Sequence, residues 1–190
     1  MKYYSEKINA EYLVKFKNYA VDLMDDFVEC VKTHQDKVHF ITTKEMNILC
    51  VSISKEEMNK VVHGTSINPT TLSIPLKNEG EKCRGIMFIV HNEYSVELSK
   101  ELIQFLIYHE IGHILNIPNL TKKETSIEVE VLADLKAIKI LQWDMMMIIN
   151  VFNEWFNATE KTYSNQKITD NLKIRLEKIM SYKNGICNFN

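Results

Sequence analysis

The chain has 190 residues, and its 23 Lys+Arg against 25 Asp+Glu leave a formal net charge of −2. The basic residues are spread along the chain, which excludes the charged stripe of a nucleic-acid binder or the basic patch of an anionic-membrane binder. The four cysteines, Cys30, Cys50, Cys83 and Cys187, are far apart and form no CxxC pair, so neither a disulfide framework nor a cysteine-rich zinc finger is expected. The N-terminal stretch has no apolar core of a signal peptide, and no segment reaches the ~18 uncharged apolar residues of a membrane span. The expectation is a soluble, cytoplasmic protein of one domain over residues 1–190.

In chain order, apolar residues at three- and four-residue steps from Glu11 to Val31 predict an amphipathic helix within an N-terminal segment of residues 1–35. Residues 36–92 change character. Short β-rich runs at Val38–Thr42, Ile48–Ile53, Leu72–Pro75 and Ile86–Val90, separated by turn formers such as Asn68-Pro69 and Asn78-Glu79-Gly80, predict a small mixed sheet of three or four strands. Ser95 to Ile117 reads as a long helix stopped by Pro118, with Leu102, Ile103, Leu106, Ile107, Ile111 and Ile114 on its apolar side. Thr125-Ser126-Ile127-Glu128 has the spacing of a capping box and opens a helix to about Gln142. Asp144–Phe156 and Thr169–Tyr182 continue the helical series within residues 125–182. The expected class is α+β: helix, sheet, long helix, further helices.

The long helix carries His109-Glu110-Ile111-Gly112-His113. Two histidines four apart stand one turn apart on one helical face, so both imidazoles can reach a single ion. Zinc suits them because it takes imidazole nitrogen at about 2.0–2.1 Å without a d-electron preference for geometry. A catalytic zinc needs a third protein ligand and an open position. The following helix offers Glu130, 17 residues beyond His113, with Asp134 four residues further on and on the same side. Glu130 is the candidate ligand, and Asp134 is placed to accept the free N–H of a ligating histidine, fixing its tautomer. Glu128 is the competing ligand, although it lies roughly opposite Glu130 on the helix and serves the capping box. Glu110, which is not required for binding, is the candidate base.

The pair His109-Glu110-Ile111-Gly112-His113 and Glu130-Val131-Leu132-Ala133-Asp134 resembles the HExxH…ExxxD signature of gluzincin metallopeptidases. The resemblance spans roughly Ile86 to Leu141 and is nearest to the minimal gluzincins and the ImmA/IrrE-type peptidases. It implies a zincin-like fold, zinc held by His109, His113 and Glu130, Glu110 as general base and Asp134 in support. The substrate would be a specific intracellular protein or peptide, laid along an edge strand for which Ile86–Val90 is the candidate. The sequence departs from the large gluzincins in having no extended C-terminal domain to carry their additional transition-state residue, so Tyr163 and Arg175 are the expected candidates for oxyanion support.

Other residues invite plainer roles. Cys83 reads as a reduced thiol near a turn, His63 and His91 as isolated histidines, and Met145-Met146-Met147 as adaptable core filling that would alternatively serve as an exposed docking patch. Two other functions fit the same motif: a zinc-containing interaction module without catalysis, and a hydrolase of a non-protein amide.

Overall fold

The computed structural model describes residues 20–21, 24–42, 46–61, 71–79, 82–91, 96–116, 126–163 and 166–183. Contacts group the chain into two compact units, Met1–Glu93 and Tyr94–Asn190. Among the described residues, the protein is α+β, with six helices and a mixed sheet of four full strands extended by one two-residue strand.

In the first unit, strands β1 (Ala20–Val21), β2 (Lys37–Thr42), β3 (Met46–Ile53), β4 (Thr71–Glu79) and β5 (Lys82–Val90) lie in the order β1-β2-β3-β5-β4. β1 runs parallel to β2, β2 antiparallel to β3, β3 parallel to β5 and β5 antiparallel to β4. The register puts Val38, Val51, Phe88 and Leu72 in one row across four strands. With Ile53, Ile74, Ile86, Val90 and Met58 they form a continuous buried cluster on one face of the sheet. Helix α1 (Met24–Lys32) packs on β2 and β3, its Phe27 ring 5.9 Å from that of His39.

Three features depart from expectation. Ala20 and Val21, within the segment predicted as helix, pair as strand with Val38 and His39, so only Met24–Lys32 is helical among the described residues. The sheet overrides the apolar periodicity there, and residues 11–19 lie outside the described residues. A short helix α2 (Lys55–Val61) was not anticipated, although Ser54 and Glu57 have capping-box spacing and the Glu57 amide donates to Ser54 Oγ at 3.2 Å. Finally, β5 is no edge. It is paired on both sides, by β3 and β4, so its ladder cannot accept an added peptide strand. The residues Ile86–Val90 are all buried, as expected of an interior strand with both faces covered.

The second unit is helical: α3 (Lys100–Asn116), α4 (Ser126–Leu141), α5 (Met145–Tyr163) and α6 (Gln166–Lys183). α3 starts at Lys100, later than the predicted Ser95, because Ser99 caps it. The Ser99 hydroxyl accepts from the Leu102 amide at 3.1 Å, while the Ser99 amide and hydroxyl both donate to the Glu154 carboxylate. Asp144 caps α5 by accepting from the Met147 amide at 2.8 Å. This sets Ile148, Val151, Phe152 and Trp155 inward and leaves Met146 and Met147 exposed, so those two methionines are not core filling. Thr125, Pro118 and His63 lie outside the described residues. No described helix is long and apolar enough to cross a membrane.

α3 and α4 meet at Gly112. A Cβ there would sit 2.5 Å from the Ala133 carbonyl oxygen and 3.0 Å from its Cα. Only a residue without a side chain lets the helices come this close, and the rigid obstacle is backbone. Gly112→Ala is therefore expected to cost about 1–3 kcal/mol as an overpacking defect, outweighing the ~1 kcal/mol by which alanine is the better helix former. Urea unfolding measures it, and a variant as stable as the parent would show that the helices separate freely.

Candidate metal centre

His109, Gly112 and His113 lie on the side of α3 that faces α4, and on α4 the residues Glu130, Ala133, Asp134 and Ala137 follow the i, i+3, i+4, i+7 pattern of one stripe. Small residues in both stripes bring the axes together, so the polar side chains between them meet at short range. Ala133, Asp134 and Ala137 have no exposed surface, and His109 and Glu110 are also buried.

Three side chains converge. His109 Nε2 and His113 Nε2 are 3.1 Å apart, Glu130 Oε2 is 3.2 Å from His109 Nε2, and Glu130 Oε1 is 3.4 Å from His113 Nε2. Donors bonded to one tetrahedral ion at ~2.0–2.1 Å stand about 3.3 Å from each other. The two imidazole nitrogens and the Glu130 carboxylate oxygens lie close to that spacing. The Glu110 carboxylate is next to them, with one oxygen and the two histidine nitrogens all within 4.8 Å of one another. Glu128, two residues from Glu130 and so about 200° round the helix, points to another face.

A second layer fixes the first. His109 Nδ1–H donates to Asp134 Oδ1 at 2.8 Å, so in the neutral imidazole the Nε2 lone pair faces His113 and Glu130. Arg175, reaching in from α6, donates through Nε to Asp134 Oδ2 at 2.8 Å and through Nη2 to Asp134 Oδ1 at 2.6 Å. Its Nη1 is 3.3 Å from Glu130 Oε2. The guanidinium carbon lies 4.7 Å over the ring of Trp155, which is 6.1 Å from the His109 ring and packs against Phe105 and Phe152.

The charges are mutually arranged. Burial alone would depress His109, but Asp134 and Glu130 raise it from 6.5 to about 9. Burial would raise Asp134, but Arg175 and His109 hold it below the ordinary 3.8. Glu130 is also half-buried, yet its bonds to His109 and His113 hold it far below the usual carboxylate range. Glu110, Glu130 and Asp134 against Arg175 give a formal charge of −2 with neutral imidazoles, the complement of a divalent cation.

The structure thus brings together His109, Glu110, His113, Glu130, Asp134 and Arg175. It places Arg175 on two carboxylates. Tyr163 is the last residue of α5, and its side chain lies outside the described residues, as does that of Cys83. His91 belongs to the first unit, where Nε2 pairs with Asp36 Oδ1 at 2.9 Å. The sequence reading missed Trp155 and the close approach at Gly112. A glycine inside a strongly helical run is the signal for the latter, whereas nothing local separates Trp155 from an ordinary core aromatic.

Comparison with protein-family models, curated proteins and solved structures finds no match to this chain.

The shifts set a pH profile for the metal-free protein. His109 is raised above 6.5, so its contribution to stability is complete below pH 6.5 and is lost as pH rises through about 9. Asp134 and Glu130 are lowered, so theirs is complete above 3.8 and 4.5 and is lost on acidification below those values. The Tm of chelator-treated protein is expected to be highest between pH 4.5 and 6.5 and to fall toward pH 9. His109→Gln should flatten the alkaline fall. A wild-type Tm that climbs steadily over the alkaline range would contradict this charge arrangement.

Proposed function

We propose that this chain is a zinc-dependent peptidase that hydrolyses a peptide bond in a specific intracellular protein, with gluzincin-like chemistry. The observation that carries the reading is the convergence of His109 Nε2, His113 Nε2 and Glu130 at 3.1–3.4 Å, with the buried Glu110 carboxylate beside them.

His109, His113 and Glu130 would hold the zinc. Bound there, zinc would supply Lewis acidity, acidifying water toward neutral pH and polarising a carbonyl. The protein's own part is proton transfer and orientation. Glu110 is the general base: it takes the proton of the attacking water and returns it to the amine that leaves. His113 and Glu130 face outward more than His109 does, so the site opens on their side. Asp134 keeps His109 in the tautomer that presents Nε2. A purely structural zinc site has no use for a buried carboxylate that is not a ligand, which favours the enzyme over an interaction module.

Protein purified without chelator is expected to hold about one zinc per chain. His109→Ala and His113→Ala should lose it, and Glu130→Ala should weaken binding far more than Glu128→Ala. Metal analysis decides, and content unchanged in both histidine variants would rule out the centre.

Enzyme and binding module part at Glu110→Gln. The amide keeps size and helix but cannot accept a proton, so the variant should retain zinc while cleavage falls by roughly 10²–10⁴-fold. It should also trap the natural substrate from a lysate, for identification by mass spectrometry. Equal activity of variant and parent on that protein would replace the peptidase with a zinc-dependent binding module.

A further inference from the structure

The HExxH helix and the following helix contain every proposed ligand, yet the centre does not end with them. We propose that Arg175, on the last helix, is the positioning residue that templates this metal centre, holding Asp134 and Glu130 in the arrangement that makes the three donor atoms converge. The inference rests on the metal-centre reading above.

The geometry is specific to a guanidinium. Arg175 approaches Asp134 side-on, with Nε on one carboxylate oxygen and Nη2 on the other, at 2.8 and 2.6 Å. Such a two-point bond fixes the plane of the carboxylate, not just its charge. Asp134 Oδ1 is also the acceptor for His109 Nδ1, so fixing that plane fixes the direction in which the imidazole presents Nε2. The remaining nitrogen, Nη1, reaches Glu130 Oε2, the oxygen that lies 3.2 Å from His109 Nε2. One side chain thereby sets the position of a ligand and of another ligand's support.

The guanidinium is itself held in place. It is buried, its carbon lies 4.7 Å over the Trp155 ring, and Trp155 packs against Phe105 and Phe152. The side chain therefore has little freedom to leave Asp134, and its near-complete burial keeps it from serving as an exposed substrate contact. Composition points the same way. Of the 23 basic residues in the chain only two, Arg84 and Arg175, are arginine. A sequence that otherwise uses lysine places one of its two forks where a lysine could offer charge without the two-point bond.

Zinc affinity tests this, read by competition with a chromophoric chelator. Arg175→Gln and Arg175→Lys should each weaken zinc binding about 10- to 100-fold, the range seen when a support of a metal ligand is lost. Lys173→Gln, which removes a charge from an exposed position on the same helix, should leave affinity unchanged. Arg175→Lys retains a buried positive charge opposite Asp134, so it remains the informative variant if Arg175→Gln does not fold. Because Arg175 acts through Asp134, the effects of Asp134→Asn and Arg175→Lys should be strongly non-additive. Wild-type affinity in Arg175→Lys, or additive losses in the double variant, overturns the templating role while leaving the centre standing. If the parent binds no zinc, or binds it equally after His109→Ala, the centre and this inference fall together.

Discussion

Asp134 has no exposed surface and carries a charge, and the helical unit is organised around meeting that demand. An ionised carboxylate removed from water is tolerated only when its oxygens are fully occupied by donors and its charge is opposed. Here both oxygens accept from Arg175, and one also accepts from His109. These bonds tie the consecutive helices α3 and α4 to the later α6, and α5 joins them through Trp155, whose ring the guanidinium overlies. The close approach at Gly112 belongs to the same constraint. Were α3 and α4 further apart, the His109 to Asp134 bond of 2.8 Å and the Glu130 contacts would all lengthen together.

This arrangement has a functional logic as well as a structural one. Buried ion pairs contribute little net stability compared with apolar packing of the same volume, because desolvation offsets most of the attraction. A chain selected for stability alone would fill the space with leucine. Retaining Asp134, Arg175 and two further carboxylates in one place is reasonable if the cluster performs chemistry, as the proposed metal-centre reading requires.

Much of this could be read in the sequence, and the parts that could not have physical explanations. The HExxH spacing and the Glu130–Asp134 pair are local: both follow from 3.6 residues per turn, so the face they share is fixed once the helices are recognised. The four main strands were legible because their β-branched and aromatic runs are bounded by turn residues. Three features depend on distant partners and so were not legible: the strand at Ala20–Val21 exists only because β2 is there to pair with it, β5 is interior only because β4 folds back beside it, and Arg175 meets Asp134 across 41 residues. Arg175 was visible as a charged residue following the site, but not as the partner of a buried acid. The rarity of arginine in a lysine-rich chain was the available clue.

The division of labour between the helices also bears on how such a centre keeps its specificity. His109, His113 and Glu130 come from two helices, α3 and α4, that are consecutive in the chain. Arg175 and Trp155 come from the two helices that follow, and they restrain the pair from outside by a planar two-point bond and an aromatic platform. Rigid support of this kind matters more for a catalytic ion than for a structural one, because an open coordination position removes one of the restraints that a closed four-ligand site would supply. The C-terminal helices therefore belong to this cluster as much as the HExxH helix does, because α5 supplies Trp155 and α6 supplies Arg175.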